Sequence, residues 1–315
     1  MGTMFAKMTD NLAEEMLQEE SLGVDFAGTK IPGLLWVDDV MSIADGRLQQ
    51  QKTLDHINDF AHRHKLKWGT EKCSAMEIGC RKDVQMSWKL GTEEVKHSQS
   101  YKYLGEIIDR NGKNQENLQE KLKKAKQSTI TIITCGHQDV MKKVEVSTTL
   151  NLHEKVTIPM IFHNCESWIL TKTDEISLER IDLWCLKWIL SLPRTTPSAA
   201  VRYITGTLYA KVKADMSQLF YLQKILQREE GNWTQRMLFL LENLEIGWSE
   251  MIKRKLLDYD LQISWEEIAE LSETNWKIKV REACEKFNEN LLIDECHKMG
   301  SGRVYNNGPV RNARL

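Results

Sequence analysis

The sequence predicts an α+β fold in the first third of the chain and an all-helical region after it. Apolar runs of strand length, separated by glycine-containing turns, lie between residues 24 and 109. Helical periodicity precedes these runs and recurs after the hairpin at residues 34–43. Beyond Gly112 the apolar residues recur at three- and four-residue steps without strand alternation. Helices that pack on a small sheet, followed by helices alone, give this fold class.

Composition limits the possible function classes. The chain has 315 residues, of which 28% are charged and 41% hydrophobic, an ordinary profile for a soluble protein. The formal net charge of −2 means that any contact with nucleic acid must come from local basic patches. No apolar run approaches the length of a membrane span, and the N-terminus lacks a signal-peptide pattern. We therefore expect an intracellular protein, in nucleus or cytoplasm, with no membrane partner.

The seven cysteines are scattered and never spaced as C-x-x-C, which indicates reduced thiols. Neither a disulfide framework nor a zinc knuckle fits this spacing. Cys296 and His297 are the nearest approach to a ligand cluster, but two adjacent ligands without a second pair match no zinc pattern.

The spacing of apolar residues predicts the helices and strands of the first third of the chain. An amphipathic helix is predicted from Met4 to Glu20, and a second helix ends at about His64. Alternating residues predict a strand from Val84 to Leu90, which Gly91-Thr92 turns back. Residues 101–109 predict two short strands hinged at Gly105. The apolar positions that define the two helices are Phe5, Met8, Leu12, Met16 and Leu17, and then Leu54, Ile57, Phe60 and Ala61.

Two adjacent carboxylates, Asp38 and Asp39, lie between the apolar runs Leu34 to Val37 and Val40 to Ile43. This layout predicts a two-residue β-hairpin with both aspartates in the loop. One interpretation is a polar turn, because aspartate is common there. The other is a metal-binding tip, in which buried strands hold two carboxylates that repel each other unless a hard divalent cation neutralises them.

The order of these segments resembles the C-terminal half of the polymerase of non-LTR (LINE-like) retrotransposons. The matching motifs are L-L-W-V-D-D-V at residues 34–40, W-G-T-E-K-C-S-A-M at 68–76 and Y-K-Y-L-G at 101–105. The resemblance continues through residues 158–172 and 192–200 and covers about the first two-thirds of the chain. It implies a partial polymerase palm followed by a helical thumb and connection.

The resemblance also implies roles for individual residues. Asp38 and Asp39 would hold Mg²⁺ or Mn²⁺ for two-metal nucleotidyl transfer on an RNA or DNA template-primer, with Asp38 the better candidate for direct ligation. Lys72 would lie near the incoming triphosphate. Tyr103, Leu104 and Gly105 would form the hairpin that grips the primer end. Trp36 and Val37 are bulkier than the family's usual residues before the aspartates.

The same resemblance predicts that the chain is incomplete as a polymerase. In the family, a third metal carboxylate, the template-cradling loop and the basic fingers all lie upstream of the hairpin, and only 37 residues precede Asp38 here. Mg²⁺ needs several oxygen ligands, so two aspartates should hold two ions poorly. We therefore expect no polymerisation by this chain alone. An upstream polymerase segment in another chain is a candidate partner.

A lysine-rich helix is predicted from about Glu116 to Ile133. Under the resemblance this helix belongs to the thumb and lies along the template–primer backbone. A solvated helix face is the alternative. The lysines that would contact phosphates are Lys121, Lys123, Lys124 and Lys126.

A second apolar helix carries Trp184 and Trp188 on one face, which could stack on bases but is more typical of a core. Thr173 or Asp174 is predicted to cap this helix, and Leu192-Pro193 to end it. Further helices are predicted from Met216 to about Ile293.

The predicted domains are a partial palm at 1–112, a thumb and connection at 113–200, a helical region at 201–299 and a disordered basic tail at 300–315. The leading hypothesis is a retrotransposon-derived fragment of an RNA-directed DNA polymerase. A non-catalytic remnant that binds nucleic acid or protein is the alternative, and a helical scaffold with an inert aspartate tip is a third.

Overall fold

The computed structural model describes residues 2–26, 28–79, 87–135, 145–229 and 231–298. The chain divides into two compact units, Met1–Lys113 and Asn114–Leu315. The first unit mixes helices with small, mainly antiparallel sheets, and the described part of the second is helical. The predicted α+β class is confirmed at this level, and the boundary between the units lies next to the predicted one.

The first unit alternates short strands with two long helices. Its order is α1 (Gly2–Gln18), β1 (Val24–Phe26), β2 (Thr29–Ile31), β3 (Gly33–Trp36), β4 (Asp39–Ser42), α2 (Arg47–Arg63), a 3-10 turn (Thr70–Lys72), β5 (Ser74–Ala75), β6 (Trp88–Leu90), β7 (Glu93–His97), β8 (Ser100–Tyr103) and β9 (Glu106–Asp109).

The described strands of this unit form three hairpins and one three-stranded sheet. The hairpins are β1-β2, β3-β4 and β8-β9, all antiparallel. Strand β7 lies between β5, to which it is parallel, and β6, to which it is antiparallel. The predicted turn at Gly91-Thr92 joins β6 to β7, and Gly91 has the positive φ of 65° that this turn needs. Val84 to Met86 of the predicted strand lie outside the described residues.

The core of the first unit is formed by one face each of α1 and α2 against β6 and β7. Leu12 and Met16 of α1 and Phe60 of α2 are almost fully buried there. The predicted stripes are thus confirmed at these positions, but Leu17 is 61% exposed. Because Leu17 follows Met16 directly, it is rotated by about 100° from the buried face. Helix α2 begins at Arg47, earlier than the predicted apolar positions.

The second unit contains the remaining helices. These are α3 (Gln115–Cys135), α4 (Val146–Leu152), a π-helical turn (His153–Thr157), α5 (Ile158–Ile161), a 3-10 turn (Cys165–Ser167), α6 (Lys172–Ile189), α7 (Ser198–Thr205), α8 (Ala210–Leu226), α9 (Trp233–Asn243), α10 (Gly247–Asp258), α11 (Trp265–Glu270) and α12 (Glu273–Lys298). Within the described ranges, no helix is both long enough and apolar enough to cross a membrane.

Helix α8 links two core clusters of the second unit. Ala210 and Ala214 pack in a cluster with residues of α3 and α6, whereas Leu219 and Leu222 pack in a cluster with α10, α11 and α12. Since one helix contributes to both clusters, the two helical regions predicted at 113–200 and 201–299 lie in one compact unit. The predicted tail at 300–315 lies outside the described residues.

Helix α6 is capped two or three residues earlier than predicted. The side chain of Thr171 accepts a hydrogen bond from the backbone N–H of Asp174 at 3.2 Å. Asp174 in turn accepts one from the backbone N–H of Thr171 at 3.0 Å. This reciprocal pair is a capping box, so Thr171 is the cap and Asp174 its partner. The prediction of Thr173 or Asp174 as the cap was wrong.

Candidate functional site

The hairpin β3-β4 carries the two aspartates, but in a register that differs from the predicted one. Trp36 pairs with Asp39, so the two-residue loop is Val37-Asp38 and Asp39 is the first residue of β4. The pairing of Leu35 with Val40 fixes this register, because both side chains pack on the core of the unit. The prediction that both aspartates occupy the loop was therefore wrong.

The loop residue Val37 has a strained backbone. Its φ is 56°, a value that β-branched residues rarely adopt. The hydroxyl of Thr9 on α1 donates to the Val37 carbonyl at 2.8 Å and helps to hold the loop. Strain of this kind is found most often at binding and catalytic sites.

The hairpin is more exposed than the sequence suggested. Asp38 and Asp39 are both exposed, Trp36 is 63% exposed, and Leu34 is also exposed. The strands are buried on one face only, where Leu35 and Val40 contact the core. The metal-tip interpretation expected buried strands, but these strands are only partly buried, and the carboxylates are open to solvent and to ligands.

The two short strands predicted at residues 101–109 form the hairpin β8-β9. Tyr103 pairs with Glu106, which leaves Leu104-Gly105 as the loop. Both loop residues have positive φ, 47° and 88°, the combination that a type I′ hairpin requires. The predicted hinge at Gly105 is thus confirmed.

Lys72, at the end of the 3-10 turn, is in direct contact with β8. The phenol of Tyr101 donates to the Lys72 carbonyl at 3.2 Å. The side chain of Lys72 itself is exposed. This hydrogen bond connects the backbone at Lys72 to the hairpin that contains Tyr103.

Electrostatics place Asp39 near this hairpin. Burial raises the pKa of Tyr103, and the negative charge of Asp39 raises it further. The pKa of Tyr101 is raised by burial, by Cys73 and again by Asp39. The segment of Lys72 is thus in contact with the hairpin of Tyr103, and the charge of Asp39 acts on both tyrosines of that hairpin. Sequence reasoning missed Tyr101, although its two-residue spacing from Tyr103 places both on one face of a strand.

The chemistry of the aspartate tip suits a hard cation, but its donor set is small. Carboxylate oxygens are preferred ligands of Mg²⁺ and Mn²⁺. Among the described residues there is no group of three or more His, Cys, Asp and Glu side chains that could hold a metal ion. A cation bound by Asp38 and Asp39 would therefore take its other ligands from water or from phosphate oxygens of a substrate. When bound, it would neutralise negative charge on such a phosphate.

The four lysines predicted to contact phosphates differ in their surroundings. Lys121 is only 3% exposed, donates to the His163 carbonyl at 3.1 Å and lies 5.5 Å from the Trp168 ring centroid. Lys124 pairs with Glu120 at 3.0 Å. Because Lys121 is buried, it is not available on the surface of α3. The sequence alone does not distinguish Lys121 from the other lysines of this helix. Lys123 is exposed, and Lys126 lies against the ring of Trp184.

Comparisons of the chain with models of protein families and with curated proteins find no match.

Proposed function

We propose that this chain is a fragment of a non-LTR retrotransposon reverse transcriptase, an RNA-directed DNA polymerase by descent, that retains the remnant of a nucleotidyl-transfer site. One observation supports the proposal most strongly. The three motifs that carry the resemblance lie at widely separated positions in the sequence and yet are linked in the first unit. Tyr101 donates a hydrogen bond to the Lys72 carbonyl, and the charge of Asp39 raises the pKa of Tyr103. A polymerase ancestry accounts for both the order of the motifs and these links.

Each motif has a distinct role in this proposal. Asp38 and Asp39 hold a Mg²⁺ or Mn²⁺ ion through their exposed carboxylates. Lys72 supplies a positive charge to the triphosphate of an incoming nucleotide. The hairpin at Tyr103 to Gly105 contacts the primer end. The palm and thumb assignments of the first unit and of helix α3 belong to the same proposal.

The isolated 315-residue chain is proposed to be inactive in primer extension. Two-metal transfer uses a pair of ions about 3.5–4 Å apart, which need more carboxylate ligands than two adjacent aspartates offer. A further carboxylate would have to come from a polymerase segment outside these 315 residues. Primer extension that depends on metal and is lost in Asp38→Asn would contradict the proposed inactivity.

The experiment that tests the site is nucleotide binding in the presence of Mg²⁺. A fluorescent deoxynucleoside triphosphate is titrated with the full chain, and binding is followed by anisotropy with and without a chelator. Lys72→Gln is expected to weaken binding about tenfold or more, because a charged hydrogen bond to phosphate contributes about 1.5–3 kcal/mol.

Two matched variants control for the change in charge. Lys67→Gln removes an exposed lysine that precedes the 3-10 turn, and Asp45→Asn removes an exposed carboxylate beyond the other end of β4. Both should bind nucleotide as the parent does, whereas Asp39→Asn should lose the effect of Mg²⁺. Equal binding by Lys72→Gln and Lys67→Gln would refute the assigned role of Lys72.

A second candidate is a non-catalytic remnant that binds nucleic acid or a protein through α3. The observation that favours it is that Lys123 is exposed and Lys126 is partly exposed on the same helix. Binding of a primer–template duplex that weakens with salt would distinguish this function from an inert scaffold.

A further inference from the structure

An open groove of about 570 Å³ runs along the outer face of α6 in the second unit. Its floor is a stripe of helix residues spaced by three and four, and its far wall is the segment that follows the helix. The lining residues are Arg180, Leu183, Trp184, Lys187, Trp188, Ser191, Leu192, Pro193 and Arg194. Such spacing puts the helical members on one face.

Two tryptophans form the aromatic part of the groove. The ring centroids of Trp184 and Trp188 are 5.4 Å apart and their planes are inclined by 37°. Trp188 is 47% exposed, although a core position was favoured from the sequence. The core face of α6 is instead occupied by Leu178, Cys185 and other buried residues. An exposed indole ring offers a flat apolar surface to a ligand.

Positive charge surrounds this aromatic surface. Arg180, Lys187 and Arg194 line the groove, and no aspartate or glutamate is among the lining residues. In the ranges that the structure describes, none of these three cations forms an ion pair with a carboxylate. A fourth cation, Lys126 of α3, lies 5.3 Å from the Trp184 ring centroid.

The acidic residues of α6 that could neutralise these cations are directed elsewhere. Asp182 is fully buried and pairs with Arg202 at 2.8 Å. Glu179 also pairs with Arg202, at 2.7 Å. The helix therefore separates its charges: these two carboxylates are paired with Arg202, whereas the groove cations pair with no carboxylate of the described residues.

The far wall of the groove is held by the helix C-terminus. Ser191 has a left-handed φ of 53°, and the N–H of Leu192 donates to the Lys187 carbonyl at 2.8 Å. The ammonium of Lys187 in turn donates to the Arg194 carbonyl at 2.9 Å. Pro193 further restricts this segment. The backbone of Arg194 is thus held beside the helix before any ligand binds, which lowers the entropic cost of binding.

We propose that this groove binds single-stranded nucleic acid, with a base stacked on Trp188 and adjacent phosphates paired with Arg180 and Arg194. Unstacked bases and a phosphate backbone match an aromatic surface flanked by cations. A duplex has no free base faces for the indole ring, and acidic side chains alone have no aromatic face to stack on it. The proposal uses no residue of the aspartate tip and does not depend on the polymerase ancestry.

The test is anisotropy of a labelled single-stranded oligonucleotide of about 12 nucleotides, titrated with the full chain in the presence of a chelator. Without metal, the aspartate tip cannot contribute metal-dependent binding to the measured affinity. Trp188→Ala is expected to weaken binding about tenfold or more, because stacking on one aromatic side chain contributes on that scale. Trp188→Phe, which keeps an aromatic face, should restore most of the affinity.

A double variant, Arg180→Gln with Arg194→Gln, tests the phosphate contacts separately. Both side chains are exposed, so the fold should tolerate the changes. Losing two phosphate contacts on a single strand should reduce the slope of log affinity against log salt by about 1.4. Trp188→Ala should leave that slope close to the parent value.

Two control variants lie on exposed positions elsewhere in the second unit. Phe239→Ala removes an exposed aromatic ring of α9, and Arg254→Gln removes an exposed cation of α10. Neither should change affinity appreciably. Equal affinities of the parent, Trp188→Ala and the arginine double variant would overturn the proposal, as would no binding by the parent. Displacement of the oligonucleotide by polyglutamate at equal charge, or equal affinity for a duplex, would also overturn it.

Discussion

A buried ion cluster joins three helices and the π-helical turn in the second unit. Asp182 of α6 is fully buried, and its two oxygens are shared among three partners. Oδ1 lies 3.2 Å from Nε2 of His153, in the π-helical turn. Oδ2 lies 2.8 Å from Nη1 of Arg202 on α7 and 3.2 Å from Nζ of Lys213 on α8. Because a carboxylate only accepts hydrogen bonds, Nε2 of His153 is the donor in this geometry.

Substituting Asp182 by Asn removes the central charge and leaves its cations in place. Arg202 is almost fully buried, and among the described residues Glu179 would be its remaining anionic partner. Lys213 would keep its pairing with Glu154, which is itself half-exposed. Removing one partner from a buried ion pair costs about 3–5 kcal/mol of unfolding free energy. For a unit of this size that loss corresponds to a fall in melting temperature of about 6–20 °C.

The pH dependence of stability follows from the same contacts. Burial alone would raise the pKa of Asp182, but the charges of Lys213 and Arg202 and the hydrogen bond from His153 outweigh it and hold the pKa well below its usual value of 3.8. A carboxyl whose pKa is lower in the folded state than in the unfolded state stabilises the fold at pH values above its unfolded-state pKa. This stabilisation is lost as the pH falls toward the folded-state pKa. The contribution of Asp182 is thus complete at neutral pH and declines below about pH 4.

Urea denaturation of the full chain, followed by circular dichroism, measures this effect. Asp182→Asn should lower the unfolding midpoint at neutral pH, and its deficit relative to the parent should shrink in acid. Asp294→Asn, an exposed aspartate of α12, is the matched control and should change stability by less than about 0.5 kcal/mol. A loss below about 1 kcal/mol for Asp182→Asn, or a deficit that does not change with pH, would refute the reasoning.

Three further predictions concern separate features. Thr171→Ala removes the capping box with Asp174 and should lower unfolding free energy by about 1 kcal/mol in urea denaturation, whereas no change would contradict the cap. Burial raises the pKa of the Cys165 thiol to about 12 and that of Cys185 to about 11. Mass spectrometry after iodoacetamide treatment at about pH 8 should therefore find both unmodified in the native chain, and their rapid alkylation would refute the burial. Val37→Gly places glycine, which tolerates a left-handed backbone, at this loop position. The substitution should raise the unfolding free energy of the first unit by about 0.5–1 kcal/mol in urea denaturation. A lower unfolding free energy would show that the loop is unstrained.

Sequence predicted the elements whose signals are local. The turns at Gly91-Thr92 and Leu104-Gly105 were predictable because glycine supplies the positive φ that these loops need. The apolar stripes of α1 and α2 were predictable from helical spacing. The register of the aspartate hairpin was not, because it depends on which strand residues contact the core, and Leu35 and Val40 are not distinguished by type from their neighbours.

The candidate sites depended more on tertiary contacts. Lys121 and Lys123 belong to the same basic run, but only the packing of α3 buries the first and exposes the second. Trp188 appeared apolar enough for a core, yet α6 buries its opposite face, where Asp182 meets two cations supplied by other helices. Partners that are distant in sequence leave no periodic signal in either segment, so neither the ion cluster nor the groove was predicted.

The central claim is that the β3-β4 hairpin remains a metal-binding tip, and isothermal titration of Mn²⁺ into the full chain tests it most directly. We expect binding by the parent, its loss in Asp38→Asn, and unchanged binding in Asp45→Asn, whose exposed carboxylate lies beyond the other end of β4. Absence of binding by the parent, or equal binding by the parent and Asp38→Asn, would contradict the claim and leave the aspartates as a polar turn.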